Sequence, residues 1–427
     1  MPGRPTYLQG LVFVYFLFVL ILALMSLGPR LKLLWWASRP PTWAFGLWAV
    51  TVALGMVVSI SVITSPLTPA VGFMVRAGFL PAMLLGMWLA EKNSRLFRFL
   101  AVFVLCSSIV SFSGIAEHMV GRGPFGLLGP VREGSYSIVG TPGMDVSMRA
   151  GLMRSGEILA LHASTGLILG LGLLVAGGGA HWSLLSLACA ANTVAIFLSA
   201  RRKYVMLVLI ALGIFASVRM MVEHRDGSRK PFVKVLLSIC VIGVIVELLI
   251  VGVTGAERHD YMGRIETLRE GSWARLVRGL YAPLRVVDNV GFFGAGTGTH
   301  TLGVGQYARL EPFWTGKTWE AEFGLGRIVA EVGVLGLIAF VLMFAAVVNS
   351  ILKNARRAGS RGIIQCLILA FVVGHAVMFV TAGQHFDDPF FQFYWNVLIG
   401  VGLVSCSRVR AAKAQTSIAR AHTPLIR

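Results

Sequence analysis

Apolar runs of roughly 18 to 25 residues, each long enough to cross about 30 Å of hydrocarbon as a helix, recur along most of this chain. They fall at about 9–28, 43–63, 70–90, 98–116, 157–177, 181–200, 203–221, 232–254, 323–350, 362–382 and 388–406. The runs are continuously apolar and do not alternate, which fits helices and excludes barrel strands. The pattern predicts an all-α polytopic membrane helical bundle of about 11 transmembrane helices, a single membrane domain over 1–427. Two longer polar stretches interrupt it. The stretch 117–156 is punctuated by Gly123-Pro124, Gly129-Pro130 and Thr141-Pro142-Gly143 and reads as an irregular loop. The stretch 255–322 reads as a large extracytoplasmic loop containing short amphipathic helices, and 407–427 as a basic tail.

Composition narrows the class. At 56% hydrophobic and 13% charged, with mean hydropathy +0.76, the chain is not a soluble domain. The net charge of +19 comes from cations in short clusters between apolar runs, so the partner is the lipid bilayer and not nucleic acid. Clusters at Arg30–Arg39, Lys92–Arg98, Arg225–Lys234, Lys353–Arg361 and Arg408–Lys413 are mutually consistent as cytoplasmic loops of eleven spans. The N-terminus then lies outside, as do 117–156, 255–322 and the short segment Gln384–Pro389. Five scattered cysteines show no disulfide or zinc spacing. The first run lacks a small-x-small cleavage site and is read as a span, not a removed signal peptide.

One cluster breaks the charge rule. Arg201-Arg202-Lys203 would lie outside, between the sixth and seventh spans. Either a span is miscounted there, or the cations are kept for an anion. Other arginines share the outer side: Arg149, Arg154, Arg264, Arg275 and Arg278. Guanidinium forks suit phosphate oxygens, although snorkelling to lipid phosphate is the ordinary role for any one of them. At 100° per residue Trp273, Leu276, Val277, Leu280, Leu284 and Val287 share one helical face, and Arg275, Arg278 and Arg285 the other, as in a helix lying in the membrane interface.

Carboxylates are few, 19 in all, so those at span entrances stand out: Glu117, Glu157, Glu320, Glu322 and Glu331, with Glu247 inside a run. Glu322 is placed to take a proton from an attacking hydroxyl, or is an ordinary helix N-terminal acid; Glu331 reads as structural, and His375 as a packed core histidine. His385, Asp387 and Asp388 have the ligand types for a divalent ion, although one short loop supplies few of them. The cluster Gly294-Ala295-Gly296-Thr297-Gly298 lacks a following Lys-Ser/Thr and reads as a tight turn.

Four segments, taken in order, resemble the O-antigen polymerase and ligase superfamily. Phe197-Leu198-Ser199-Ala200-Arg201-Arg202 is similar to its Thr/Ser-x-Ser-Arg segment opening a span. Gly271-Ser272-Trp273-Ala274-Arg275, followed by Val290–Gly296, resembles its arginine-bearing loop helix and glycine turn. Glu322 through Gly336 resembles its Glu-x-Gly-x-x-Gly ending at Glu331, Gly333 and Gly336, with Glu322 where many ligases carry His-Asn. Met148-Arg149-Ala150-Gly151 through Leu161 resembles the segment entering the middle span. The resemblance covers roughly 145–340.

The resemblance implies inverting glycosyl transfer from a polyprenyl-pyrophosphate-linked oligosaccharide at the outer face of a bacterial inner membrane, with no cofactor and no essential metal. It implies Glu322, Arg201 and Arg275 as catalytic residues and Arg149, Arg154, Arg202, Arg264, Arg278 and Glu320 as substrate-binding ones. The Glu322 departure favours a polymerase of exopolysaccharide or O-antigen repeat units, working beside flippase and chain-length regulator proteins. The alternatives are a ligase moving glycan to a lipid or protein acceptor, and a transporter of the lipid-linked glycan. Transport predicts broken helices and half-repeats in both halves of the chain.

Overall fold

The computed structural model describes residues 40–62, 67–121, 137–141, 144–147, 149–153, 155–176, 182–226, 268–301, 323–358 and 362–404, with scattered positions before 40. The helices are α1 (Thr42–Val62), α2 (Leu67–Phe73), α3 (Ala82–Ala90), α4 (Asn93–Val120), α5 (Gly156–Val175), α6 (Trp182–Leu198), α7 (Arg202–Asp226), α8 (Leu268–Val290), α9 (Gly324–Ala358), α10 (Ile363–Thr381) and α11 (Pro389–Leu403). Among the described residues seven helical spans are long and apolar enough to cross a membrane, and α6 and α11 are shorter apolar helices. The chain is a helical membrane protein. Nine of the expected runs coincide with these elements; 9–28 and 232–254 lie almost wholly outside the described residues.

Two expectations change. The region 117–156 is not wholly irregular: α4 continues through Val120, and strands β1 (Ser137–Thr141) and β2 (Met144–Ser147) pair antiparallel on either side of Pro142-Gly143. The run 70–90 is not one helix. A π-helical turn, Met74–Gly78, separates α2 from α3, and the indole of Trp48 donates to the Arg76 carbonyl at 2.9 Å. Of the large loop, the described part holds the 23-residue helix α8, and 255–267 and 302–322 lie outside the described residues.

The chain divides into two compact units, one built mainly from 97–275 with 373–378, the other from 10–96, 276–372 and 379–427. In the first, α5 packs on α6 and α7. Its polar interior is bonded internally: Ser107 Oγ donates to the His162 carbonyl at 2.6 Å, and Ser111 Oγ donates to Asn192 Oδ1 at 2.7 Å. Without a hydrophobic drive between helices in lipid, such bonds and small residues hold spans together.

In the second unit, α1 packs on α9 and α3 on α11. α1 is apolar all round, yet Ala44, Trp48 and Val52 are buried while Trp43, Leu47, Val50 and Leu54 stay uncovered by protein, a helical period set by packing and not by polarity. α3 and α11 approach closely through Gly86 and Gly400, where a Cβ would run into the Val397 and Met83 carbonyls respectively. α9 is broken at Gly333, with φ 69° and ψ −172°. The turn after α8 fills the break: Ala295 N donates to Ala330 O at 2.7 Å and Val334 N to Phe292 O at 2.9 Å. Irregular backbone survives in a membrane bundle only where protein satisfies it, and these bonds do so.

Candidate functional site

The first unit brings two helix N-termini to one carboxylate. At the start of α5, Ser155 Oγ accepts from Ile158 N at 3.4 Å, and Glu157 occupies the first turn, where the helix dipole favours negative charge. α7 starts just past Ala200, whose φ of 53° is the single positive value outside glycine among the described residues. A backbone held there costs about 1–2 kcal/mol and turns the chain from α6 into α7. Ser199 steadies that turn, its hydroxyl donating to Ile196 O at 2.6 Å and accepting from Arg201 N at 3.2 Å. Arg201, Arg202 and Lys203 therefore open α7 at the end where the dipole disfavours cations.

Glu157 meets these cations. The Lys203 ammonium donates to Glu157 Oε1, and Arg201 Nη2 lies 4.0 Å from Glu157 Oε2. Arg275, on α8, acts electrostatically on both Glu157 and Lys203. The cluster is open: side-chain exposure is 31% at Arg201, 20% at Lys203 and 16% at Glu157, and Arg275 is exposed. Among the described residues Glu157 is bonded to Lys203 and lies near Arg201, whose Nε is buried and has no hydrogen-bond partner there. Guanidinium and ammonium groups beside helix N-termini have the chemistry that attracts oxyanions.

Arg149 is carried to the same region by its backbone. Its amide donates to Leu198 O at 3.1 Å, three residues before Arg201. The residues after it are gripped from α4: Glu117 Oε2 accepts from Ala150 N at 2.8 Å and from Gly151 N, and Ser113 Oγ accepts from Leu152 N at 2.9 Å. Arg278 is exposed one turn beyond Arg275, and Arg202 is the first residue of α7. Arg154, Arg264, Glu320, Glu322 and Glu247 lie outside the described residues.

A second cluster lies wholly within the other unit and is closed. Arg76, in the π-helical turn, donates from Nε to Glu331 Oε2 at 2.8 Å and sets Nη1 2.9 Å from Asp387 Oδ1. Arg327 Nη1 pairs with the other oxygen of Asp387, and Thr301 Oγ1 donates to Glu331 Oε1 at 2.9 Å. Side-chain exposure is 5% at Arg76, 6% at Arg327 and nil at both acids. Two cations balance two carboxylates. His300 lies beside this chain of charges, its Nδ1 2.9 Å from Thr299 Oγ1; burial pushes the imidazole down to about 4, with Glu331 opposing and Arg327 and Arg76 adding to the fall. Asp387 is thus committed to arginines, and Asp388 caps α11 by accepting from Phe390 N and Phe391 N.

Of three residues that matter here, the sequence singled out Lys203 only within its cation run and Glu157 only among the acids at span entrances, and it passed over Arg76. Lys203 and Glu157 each stood in plain view, in the first turns of neighbouring spans, and a cation run placed against a helix dipole was the signal that a carboxylate must lie opposite. Arg76 is a lone cation inside the apolar run 70–90, and a charge at that depth requires a partner. No protein-family model matches this chain, and no curated protein matches it.

Proposed function

We propose that the chain is a polysaccharide polymerase of a bacterial inner membrane, joining polyprenyl-diphosphate-linked repeat units at the outer face. The observation that carries this reading is the partly open cluster of Arg201 and Lys203 at Glu157, on two helix N-termini and within the electrostatic reach of Arg275. A diphosphate headgroup tethered in lipid has the charge, the forked oxygens and the location that such a cluster selects. Eleven spans with the N-terminus outside, and a large outer loop carrying α8, complete the reading.

In the reaction, the bond from the anomeric carbon to the diphosphate oxygen breaks and a bond to the acceptor hydroxyl oxygen forms on the opposite face of the sugar. The electron pair leaves with the polyprenyl diphosphate, whose growing charge Arg201 and Arg275 stabilise. The hydroxyl proton passes to Glu322, and inversion at the anomeric carbon follows from the single displacement. Arg149, Arg154, Arg202, Arg264, Arg278 and Glu320 line the headgroup and sugars.

The test is the glycan made by cells carrying Arg201→Ala or Glu322→Gln at normal abundance. Lipid-linked single repeat units should accumulate; unchanged polymer from both variants overturns the reading. Free lipid-linked polymer in a deletion strain would instead identify a ligase. One observation favours a transporter: the interrupted helices at Met74–Gly78 and at Gly333 fall in opposite halves of the chain. Repeat units trapped on the cytoplasmic side of the membrane in the deletion strain would decide for it.

A further inference from the structure

We infer that Glu117 is a positioning residue of the proposed diphosphate site: from α4 it holds the segment that follows Arg149, and so fixes where Arg149 stands beside the turn that carries Arg201. The inference rests on the reading of that region as a diphosphate site, and it adds a residue that acts on the ligand only through another.

Glu117 is a costly residue where it is. It is 1% exposed and lies in the last turn of α4, the end at which the helix dipole disfavours an acid. A buried carboxylate is tolerated only when hydrogen bonds answer its oxygens. Here Oε2 accepts from two successive amides, Ala150 N at 2.8 Å and Gly151 N, and bonds to a charged acceptor are roughly twice as strong as neutral ones. One turn earlier on α4, Ser113 Oγ accepts from Leu152 N at 2.9 Å while donating to Val110 O at 2.6 Å. The amides of Ala150, Gly151 and Leu152 are thus all taken by side chains of one helix. Gly151 makes the close approach feasible: its φ is 57°, and a Cβ there would lie 2.3 Å from Ser113 Oγ and 2.6 Å from Gly114 N.

What this grip delivers is Arg149. Its own amide donates to Leu198 O at 3.1 Å, at the end of α6, so the residue is pinned between α6 on one side and, through its successors, α4 on the other. Leu198 leads through Ser199 and Ala200 into Arg201, which places Arg149 against the backbone that sets the Arg201 position. An arginine on irregular chain has no fixed bearing of its own, and a binding group is only as well placed as the residues that support it. An apolar side chain at position 117 could fill the space but could not accept from two amides. A glutamine could, because its carbonyl oxygen has two lone pairs.

Inorganic pyrophosphate is titrated by calorimetry into the full-length protein in lipid nanodiscs, with the melting temperature of each variant recorded alongside. Glu117→Ala should weaken binding about tenfold, the scale of a lost hydrogen bond to a charged group, and Glu117→Gln should restore it to within about twofold of wild type. In an Arg149→Ala background, Glu117→Ala should cost no further affinity, because residues that act through one another are not additive. An acid that merely stabilises the fold predicts equal losses in both backgrounds. Ser113→Ala, which frees only the Leu152 amide, should weaken binding about threefold with the same dependence on Arg149, and it decides the matter if Glu117→Ala does not fold.

Unchanged affinity in Glu117→Ala, a loss of equal size with and without Arg149, or a Glu117→Gln variant as weak as Glu117→Ala overturns the positioning inference, as does a Ser113→Ala loss that ignores Arg149. Loss of binding in Arg201→Ala alongside any of these would leave the diphosphate reading standing. Arg149→Ala and Arg201→Ala both binding pyrophosphate as tightly as wild type would remove that reading, and this inference with it.

Discussion

Around Glu157, the contacts with Lys203 and Arg201 are partly open, the three side chains being 16% to 31% exposed. Around Arg76, two arginines meet two carboxylates and no side chain exceeds 6%. The same residue types thus serve different ends. A buried chain of charges must balance itself, because each ion has given up water and an unmatched one has nowhere to turn. A partly open cluster at helix N-termini has no such obligation, because water can serve its charges. Residue identity distinguishes these roles less well than exposure does.

The largest expected difference comes from removing one arginine on each side. Arg76→Ala leaves Glu331 and Asp387 buried with one cation between them and should cost roughly 3–5 kcal/mol, seen as low abundance and a sharply lowered melting temperature. Arg201→Ala, at an open site, should cost less than about 1 kcal/mol while abolishing polymer formation. Equal losses of stability would erase the distinction. Next in size is Gly333→Ala, whose Cβ would lie 2.5 Å from the Phe292 carbonyl oxygen at a φ of 69°. It should destabilise the protein by about 1–3 kcal/mol, lowering the melting temperature without a selective effect on pyrophosphate affinity.

Acid should act on the closed cluster through His300. Its folded value of about 4 lies below the ordinary 6.5, so the unfolded chain takes up the proton first. The contribution of His300 to stability is full above about 6.5, declines as pH falls from there to about 4, and is constant below that. Melting temperatures across that window should fall in the wild type, and the His300→Gln variant should show a shallower fall. The smallest effect belongs to Arg275→Ala. Its exposed charge is screened by salt, and pyrophosphate binding should weaken about threefold, with the difference vanishing at high ionic strength.

The spans were legible in the sequence because hydrocarbon thickness dictates a length that apolar composition reveals without any knowledge of packing. α5 and α7 begin where the apolar runs do. Arg201 and Arg275 were legible as outlying cations; the structure sets Arg201 4.0 Å from Glu157, whereas Arg275 acts on that carboxylate electrostatically. Glu157 was legible as one of the few acids at a span entrance, but its partners were not, because an acid in a first helical turn is commonplace and only tertiary contact shows which cations it faces. The breaks at Met74–Gly78 and Gly333 were hidden for a related reason. Each lies inside a run whose hydropathy is continuous, and each is stabilised by partners far along the chain, Trp48 for one and Phe292 for the other. The hairpin β1–β2 is short and sits between turn residues that read equally well as loop. Glu322 lies outside the described residues, so its part in the proposed chemistry rests on resemblance and on the test by substitution.

The central claim is that the open cluster binds a diphosphate, and the rise in melting temperature caused by pyrophosphate measures it most directly. A ligand at one hundred times its dissociation constant stabilises the folded state by about 2.7 kcal/mol. The wild type should show that rise, and Arg201→Ala, melting at the same temperature as wild type without ligand, should show none. A rise of equal size in Arg201→Ala would contradict the account.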